Sequence, residues 1–352
     1  MTEAFLALSP DERREALTFA ASESGRPAHL LEKDVMVVWA LAVLGASAFD
    51  EHLVFKGGTS LSKAYGVIDR FSEDIDLTYD IREIAGDLVA KTADGWPETN
   101  SQQKVWTKDI RARLDQWISE SVAPLFEAAI AEQRLEAKVS APGGHSLHIE
   151  YNALSTGTGY VLPRVLLEFG ARATGEPAER CQLACDAAPF LSELALPVAA
   201  PRVMLPTRTF WEKATAIHAY CRQGKFRGGD RFARHWYDLV RLDDVGIADQ
   251  AVADADLARN VAKNKQLFFA EKDVAGTVID YSEAVRGGLL LAPDGAARAA
   301  LGEDYAQMVG DGLILGEAPA FEVLMGRCTA IAGKANAAAV SAADSGGVTL
   351  AP

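Results

Sequence analysis

Two carboxylates two residues apart, Asp74 and Asp76, alternate with Ile75 and Leu77 in the run Asp-Ile-Asp-Leu-Thr-Tyr. On a strand, side chains at i and i+2 share a face, so the acids occupy one face and the apolar pair the other. Neighbouring carboxylates repel each other. A hard divalent cation removes that repulsion, and Mg²⁺ is usually held by one or two carboxylates together with substrate phosphates. Taken alone, the pair favours the plainer reading of an exposed strand with two solvated acids. A second feature upstream changes the balance. Gly57-Gly58-Thr59-Ser60 separates a short apolar strand pattern, residues 52–56, from a short helical one, residues 59–65. Glycine permits close backbone approach, and helix N-terminal amides favour an anion such as phosphate. Thr59 and Ser60 supply hydroxyls, and Lys56 and Lys63 supply cations. The G-x4-G-K-[ST] pattern of a Walker loop is absent. A phosphate cradle followed by an acid pair points to nucleotide chemistry.

The elements that must position these residues read as an α+β fold. Ser9-Pro10-Asp11-Glu12 is a helix start with acid in its first turn. Pro27 opens a second helix to about residue 48, apolar on nearly every side and therefore expected to be buried. Strands are expected at 52–56, 74–79, 146–153 and 164–171, the last two as antiparallel neighbours. Residues 81–100 read as a loop and 102–136 as a long helical stretch. Proline punctuates 189–206, the expected connection to a second part. The pattern from 207 to about 335 is mostly helical. The expected division is 1–200, 201–335 and a small, polar, mobile tail at 336–352.

The chain has 352 residues and a formal charge of −14, with 35 Lys/Arg against 49 Asp/Glu. Hydrophobic residues make up 49%, which excludes a wholly disordered chain. The acid excess argues against a globally basic nucleic-acid binder. Residues 202–242 are the exception, with nine Lys/Arg and three acids, a local +6. Trp211, Tyr220, Phe226 and Trp236 are interleaved there, and aromatic rings can stack on unpaired bases. Cys181, Cys185, Cys221 and Cys328 read as ordinary reduced thiols, since no second pair completes a zinc site around Cys181 and Cys185. The first residues lack a basic region followed by an apolar run. The longest apolar stretch, residues 35–49, is shorter than the ~20 residues of a membrane span. A cytoplasmic protein without membrane contact is expected.

The combined run resembles the nucleotidyltransferase superfamily with the polymerase-beta-type palm, through Phe55, Gly57-Gly58 and Asp74-Ile75-Asp76. The longer wording, Lys-Gly-Gly-Thr-Ser-Leu then Arg-Phe-Ser-Glu-Asp-Ile-Asp-Leu, resembles the AbiEii-type toxin nucleotidyltransferases of type IV toxin–antitoxin systems. The Ser-x-Asp-x-Asp run characteristic of that family is Ser72 to Asp76 here. The likeness is strongest over residues 30–80 and returns near 164–172 and 207–242.

This resemblance implies a nucleotidyltransferase core, a small mixed or antiparallel sheet flanked by helices, followed by a mostly helical domain that completes the nucleotide cleft. It implies transfer of a nucleotide from an NTP with Mg²⁺ or Mn²⁺ held by Asp74, Asp76 and a third acid. Glu168, between Leu167 and Phe169, is preferred as that acid and Glu150 is the alternative. Lys56, Gly57, Gly58, Thr59, Ser60, Lys63 and Ser72 would line the nucleotide. Lys213, at the edge of the stripe Phe210, Ala214, Ile217 and Cys221, would hold phosphates, and Asp238 would have a functional role. The implied acceptor is the 3′ end of tRNA, whose modification blocks translation; the implied partner is a cognate antitoxin, and the setting is phage defence. A protein or small-molecule acceptor, or an idle nucleotide-binding protein, are the alternatives. Phosphorylation of Ser72 would add about −1.5 to −2 charge beside the carboxylates.

Overall fold

A computed structural model describes residues 3–72, 74–155, 161–224 and 232–346. The chain forms two compact units. The first comprises Met1–Ala64 and Ser72–Met204, and the second Tyr65–Phe71 and Leu205–Pro352. The sequence reading set the division at 200/201 and did not anticipate that residues 65–71 leave the first unit.

In the first unit, helix α1 (Pro10–Ser24) begins with a capping box. The Ser9 hydroxyl accepts from the Glu12 amide, and the Glu12 carboxylate accepts from the Ser9 amide. Helix α2 (Ala28–Gly45) is buried along most of its length, as its all-round apolar character requires. Its one basic residue, Lys33, donates to the carbonyls of Leu162 and Arg164, a charged donor satisfied by backbone acceptors.

The sheet has seven strands: β1 (Leu53–Lys56), β2 (Ile75–Tyr79), β3 (Ala137–Gly143), β4 (Ser146–Tyr151), β5 (Arg164–Gly170), β6 (Ala178–Arg180) and β7 (Arg202–Met204). Their order is β3-β4-β5-β2-β1-β7-β6. The β5–β2 and β1–β7 pairs are parallel, and the others antiparallel. The expected antiparallel pairing of β4 with β5 is present. Burial follows the pleat: Ile75, Leu77, Leu147, Ile149, Val165, Leu167 and Phe169 form the covered face. On the central strands Phe55, Leu77 and Phe169 lie in one cross-strand row.

One local expectation is corrected, one gains detail, and one strand is added. Residues 81–89, read as loop, form α4 (Ile81–Val89) after helix α3 (Gly57–Lys63). The Asp80 carboxylate caps α4 by accepting from the Arg82 amide, and Ile81, Ala85 and Leu88 supply its buried face. The long helical stretch is α5 (Asn100–Trp117) and α6 (Ala123–Gln133), joined by a π-helical turn at Ile118–Val122. Strand β3 was not expected, because Pro142, Gly143 and Gly144 interrupt its alternation.

The second unit is helical: α7 (Pro206–Gln223), α8 (Ala233–Asp244), α9 (Ile247–Ala253), α10 (Ala255–Phe268), α11 (Tyr281–Ala284), α12 (Gly295–Gly310) and α13 (Phe321–Gly346). Helix α13 covers residues 336–346, so the expected tail at 336–352 is helical for that part. Residues 347–352 lie outside the described residues. The expected stripe on α7 is present, with Phe210, Ala214 and Ile217 fully buried. Among the described residues no helix is long and apolar enough to cross a membrane, and the four cysteines are free thiols.

His218 on α7 has no exposed surface. Its Nδ1 accepts from the Leu290 amide, and its Nε2 is buried without a partner. Burial, reinforced by Arg222, pushes its pKa down to about 4. The unfolded chain therefore binds more protons than the folded one between about pH 4 and 6.5, and stability falls as pH falls through that window. A fully buried histidine shifted this far contributes a loss of roughly 3 kcal/mol across it. Urea unfolding between pH 7 and pH 4 should show a steep acid-side decline, and His218→Gln should flatten it.

Candidate active site

The register of the sheet assembles the acid site. Asp76 is the cross-strand partner of Lys56 on β1 and of Glu168 on β5, and Glu168 in turn partners Ser146 on β4. Cross-strand partners point to the same face, so one row reads Lys56, Asp76, Glu168, Ser146. Strand spacing near ~4.8 Å makes Asp76 and Glu168 immediate neighbours. Glu150 lies elsewhere. It partners Lys138 and Arg164, four residues along β5 from Glu168, or roughly 13 Å at the rise of a strand. Asp74 precedes β2 by one residue.

The glycine turn is fitted to this row. Gly57 has φ +82°, a left-handed conformation, and a Cβ there would stand 2.0 Å from Asp76 Oδ2. Only glycine can bring the backbone this close to the carboxylate. Thr59 and Ser60 are buried, and their hydroxyls serve the protein itself. Thr59 Oγ1 donates to the Asp74 carbonyl at 2.6 Å and lies 2.9 Å from Ser72 Oγ, while Ser60 Oγ donates to the Gly57 carbonyl at 2.9 Å. Of the two hydroxyls expected to face phosphates, that of Thr59 ties the turn to the acid run and that of Ser60 closes the turn on itself. Ser72, expected beside the nucleotide, contacts Thr59 through its hydroxyl.

Lys63 departs from expectation more sharply. Its ammonium is paired with Asp34 at 2.6 Å and Asp186 at 2.7 Å, and its side chain is only 10% exposed. Burial works against the charge, but the two carboxylates outweigh it and hold the lysine above its usual pKa. A lysine committed in this way is not available to a triphosphate as a free cation.

A second cluster belongs to the helical unit. Asp238 on α8 has no exposed surface and receives a bidentate pair from Arg70, Nε at 2.6 Å and Nη2 at 2.7 Å. Lys213 on α7 donates to Asp238 Oδ2 at 2.8 Å and lies 3.5 Å from His235 Nδ1. Burial opposes the Asp238 charge, but Arg70 and Lys213 hold its pKa far below the usual carboxylate range. Burial lowers the pKa of Lys213, with Asp238 opposing. Burial and Lys213 together push His235 well down, so it is neutral. Asp238 thus stands as a counter-ion with both oxygens engaged, not as an exposed acid or base. Lys213 has three donors, and Asp238 and His235 account for two.

Among the described residues of the basic segment, several cations are ion-paired. Arg208 pairs with Glu212, Arg222 with Glu283, and Arg241 with Asp69 and Asp244. Arg202 reaches Glu176 and the Glu51 carbonyl. Trp211 and Trp236 are core residues donating to the carbonyls of Ala251 and Leu291, and Tyr220 stacks on Trp236. Lys225, Phe226, Arg227 and Arg231 lie outside the described residues. Arg70, Asp34 and Asp186 were not singled out from the sequence. Arg70 opens the Arg-Phe-Ser-Glu-Asp-Ile-Asp run, which was its signal; the other two had none.

The residues present fit a divalent cation. The donors are carboxylate oxygens, adjacent in register, and the Gly57 backbone lies against Asp76 with no room for a Cβ between them. Asp74, Asp76 and Glu168 are not drawn into a three-carboxylate cage, and among the described residues no three His, Cys, Asp or Glu are gathered as a metal site. Two carboxylates with phosphates completing the shell is the ordinary arrangement for Mg²⁺.

The mixed sheet thus brings paired carboxylates and a glycine turn together. The profile of the family described as Nucleotidyl transferase AbiEii toxin, Type IV TA system, matches residues 39–327. The chain belongs to that family, the nucleotidyltransferase toxins of type IV toxin–antitoxin systems. Among solved structures it is similar to MenT4, a nucleotidyltransferase toxin from Mycobacterium tuberculosis, at 17% identity and a TM-score of 0.38, over 94% of this chain and 99% of that one. No curated protein matches.

Proposed function

We propose that the protein transfers a nucleotide from an NTP to the 3′ end of tRNA in a Mg²⁺-dependent reaction and so blocks translation. The observation that carries the transfer reading is the row Lys56, Asp76, Glu168 with Gly57 against Asp76. Asp76 and Glu168, adjacent in register, would hold the metal together with substrate phosphates, and the family likeness adds Asp74 as a third ligand; the metal would supply neutralisation of the triphosphate and activation of the acceptor hydroxyl. The backbone of Gly57 and Gly58 admits the phosphates close to the acids. Lys56 supplies a cation on the same row. The family likeness gives Lys213 a role toward phosphates as well, and Asp238 supports its charge.

The tRNA acceptor is supported by the family likeness of the Ser72–Asp76 run. The ion-paired state of Arg202, Arg208, Arg222 and Arg241 favours recognition of the reactive end over broad electrostatic capture. Purified protein with Mg²⁺, each labelled NTP in turn, and total tRNA or lysate protein tests the reading. Label at the tRNA 3′ end is expected; label on protein alone would overturn the acceptor. In the same assay Glu168→Gln should cost about a hundredfold or more, on the scale of a lost transition-state interaction of ~3 kcal/mol. Glu150→Gln should leave the rate within about twofold, being four positions away from the acid row.

A further inference from the structure

We propose that Lys63 is a positioning residue: clamped between Asp34 and Asp186, it fixes the far end of α3 and so holds the Gly57-Gly58 turn against Asp76. This rests on the reading of Gly57 and Asp76 as part of the nucleotide site.

Helix α3 has seven residues, fewer than two full turns at 3.6 residues per turn. So short a helix has little stability of its own, and its placement is set by what holds its ends. At the start, Thr59 is bonded to the Asp74 carbonyl and Ser60 to the Gly57 carbonyl. At the finish stands Lys63, between Asp34 on α2 and Asp186 just after Leu183–Ala184. The clamp is itself braced. The Asp186 amide donates to Asp34 Oδ2 at 2.6 Å, and Arg26 pairs with Asp186. Two cations and two carboxylates balance, and Lys63 and Asp34 are each 10% exposed.

This geometry separates positioning from phosphate binding. Two of the three Lys63 donors are spent on carboxylates, and those carboxylates would repel a triphosphate. The fit at the other end is tight: with space for no Cβ between Gly57 and Asp76, a displacement of α3 changes what stands beside the acid. A shift on the order of 1 Å at a reacting site costs about a hundredfold.

The test compares Lys63→Gln, Asp34→Asn and the double variant in the labelled-NTP transfer assay, below each protein's unfolding temperature. Lys63→Gln leaves Asp34 as an unbalanced buried carboxylate and should lower kcat/KM by about a hundredfold. The double variant removes both charges but keeps two amide side chains able to hydrogen-bond across the same gap, so the tie on α3 persists without a stranded charge, Arg26 stays paired with Asp186, and activity should recover to within about tenfold of the unsubstituted enzyme. No recovery in the double variant would mean the ammonium itself is required, and would overturn the proposal. Unaltered activity in Lys63→Gln would overturn it too. If Lys63→Gln does not fold, Asp34→Asn carries the test. A fall of about tenfold or more supports a clamp, and an unchanged or lowered KM at full kcat overturns it. Asp76→Asn is the control for the underlying site. If it stays active the site is misassigned; if it is dead while the Lys63 and Asp34 variants are fully active, only the clamp fails.

Discussion

Asp76→Asn is expected to lower nucleotide transfer by at least about a thousandfold and to leave the urea midpoint essentially in place. The expected size follows from the chemistry. A carboxylate that organises a cation on a transferring phosphoryl group contributes several kcal/mol to the transition state, and each ~1.4 kcal/mol is a factor of ten in rate. The expected specificity follows from location. Asp76 is half-buried on the polar face of β2, opposite Ile75 and Leu77, so an isosteric amide changes charge without opening a cavity. Full activity in this variant would remove the row Lys56, Asp76, Glu168 from the mechanism.

Asp238→Ala should destabilise the protein by about 3–5 kcal/mol, the cost of stranding charges after one partner of a buried pair is lost. Arg70 and Lys213 both depend on that carboxylate, so the loss should appear as a lower urea midpoint at neutral pH. Asp238→Asn keeps the volume and separates the electrostatic part. Asp238 is what raises the Lys213 pKa against the downward push of burial, so its neutralisation lowers that pKa further. Lysine is charged below its pKa, so NTP binding should weaken as pH rises. The KM for NTP in Asp238→Asn should climb more steeply between pH 6 and 9 than in the unsubstituted protein. Parallel pH profiles would detach Asp238 from Lys213.

Local pattern carried the parts of the site that local pattern can carry. Asp74 and Asp76 share a period-two face, Gly57-Gly58 ends a strand, and Glu168 alternates with Leu167 and Phe169; each of these is readable within ten residues. Register then adds what spacing cannot, by setting Glu168 beside Asp76 and Glu150 opposite Arg164. The ion clusters were invisible for a different reason. Arg70 and Asp238 are 168 residues apart, and Lys63 and Asp186 are 123 apart. Nothing near Lys63 announces that two acids will enclose it, so a lysine one turn beyond a glycine pair was read as a phosphate ligand. Helix α4 failed differently. Its cap and buried triplet were present in the sequence, but the polar Gly- and Pro-containing stretch after it dominated the window.

The excursion of residues 65–71 into the helical unit has a consequence for how this gene can be cut. The Phe71 amide donates to the Leu313 carbonyl at 2.7 Å, the Leu315 amide to the Asp69 carbonyl at 2.8 Å, and Arg70 neutralises Asp238. A fragment beginning at Leu205 would lack all three and would carry Asp238 without its guanidinium. A fragment ending at Met204 would expose Val67 and Ile68, which are buried in the whole chain. Neither unit is therefore a portable module, and truncation series or split-protein reporters that cut near residue 204 should yield insoluble halves unless both are co-expressed.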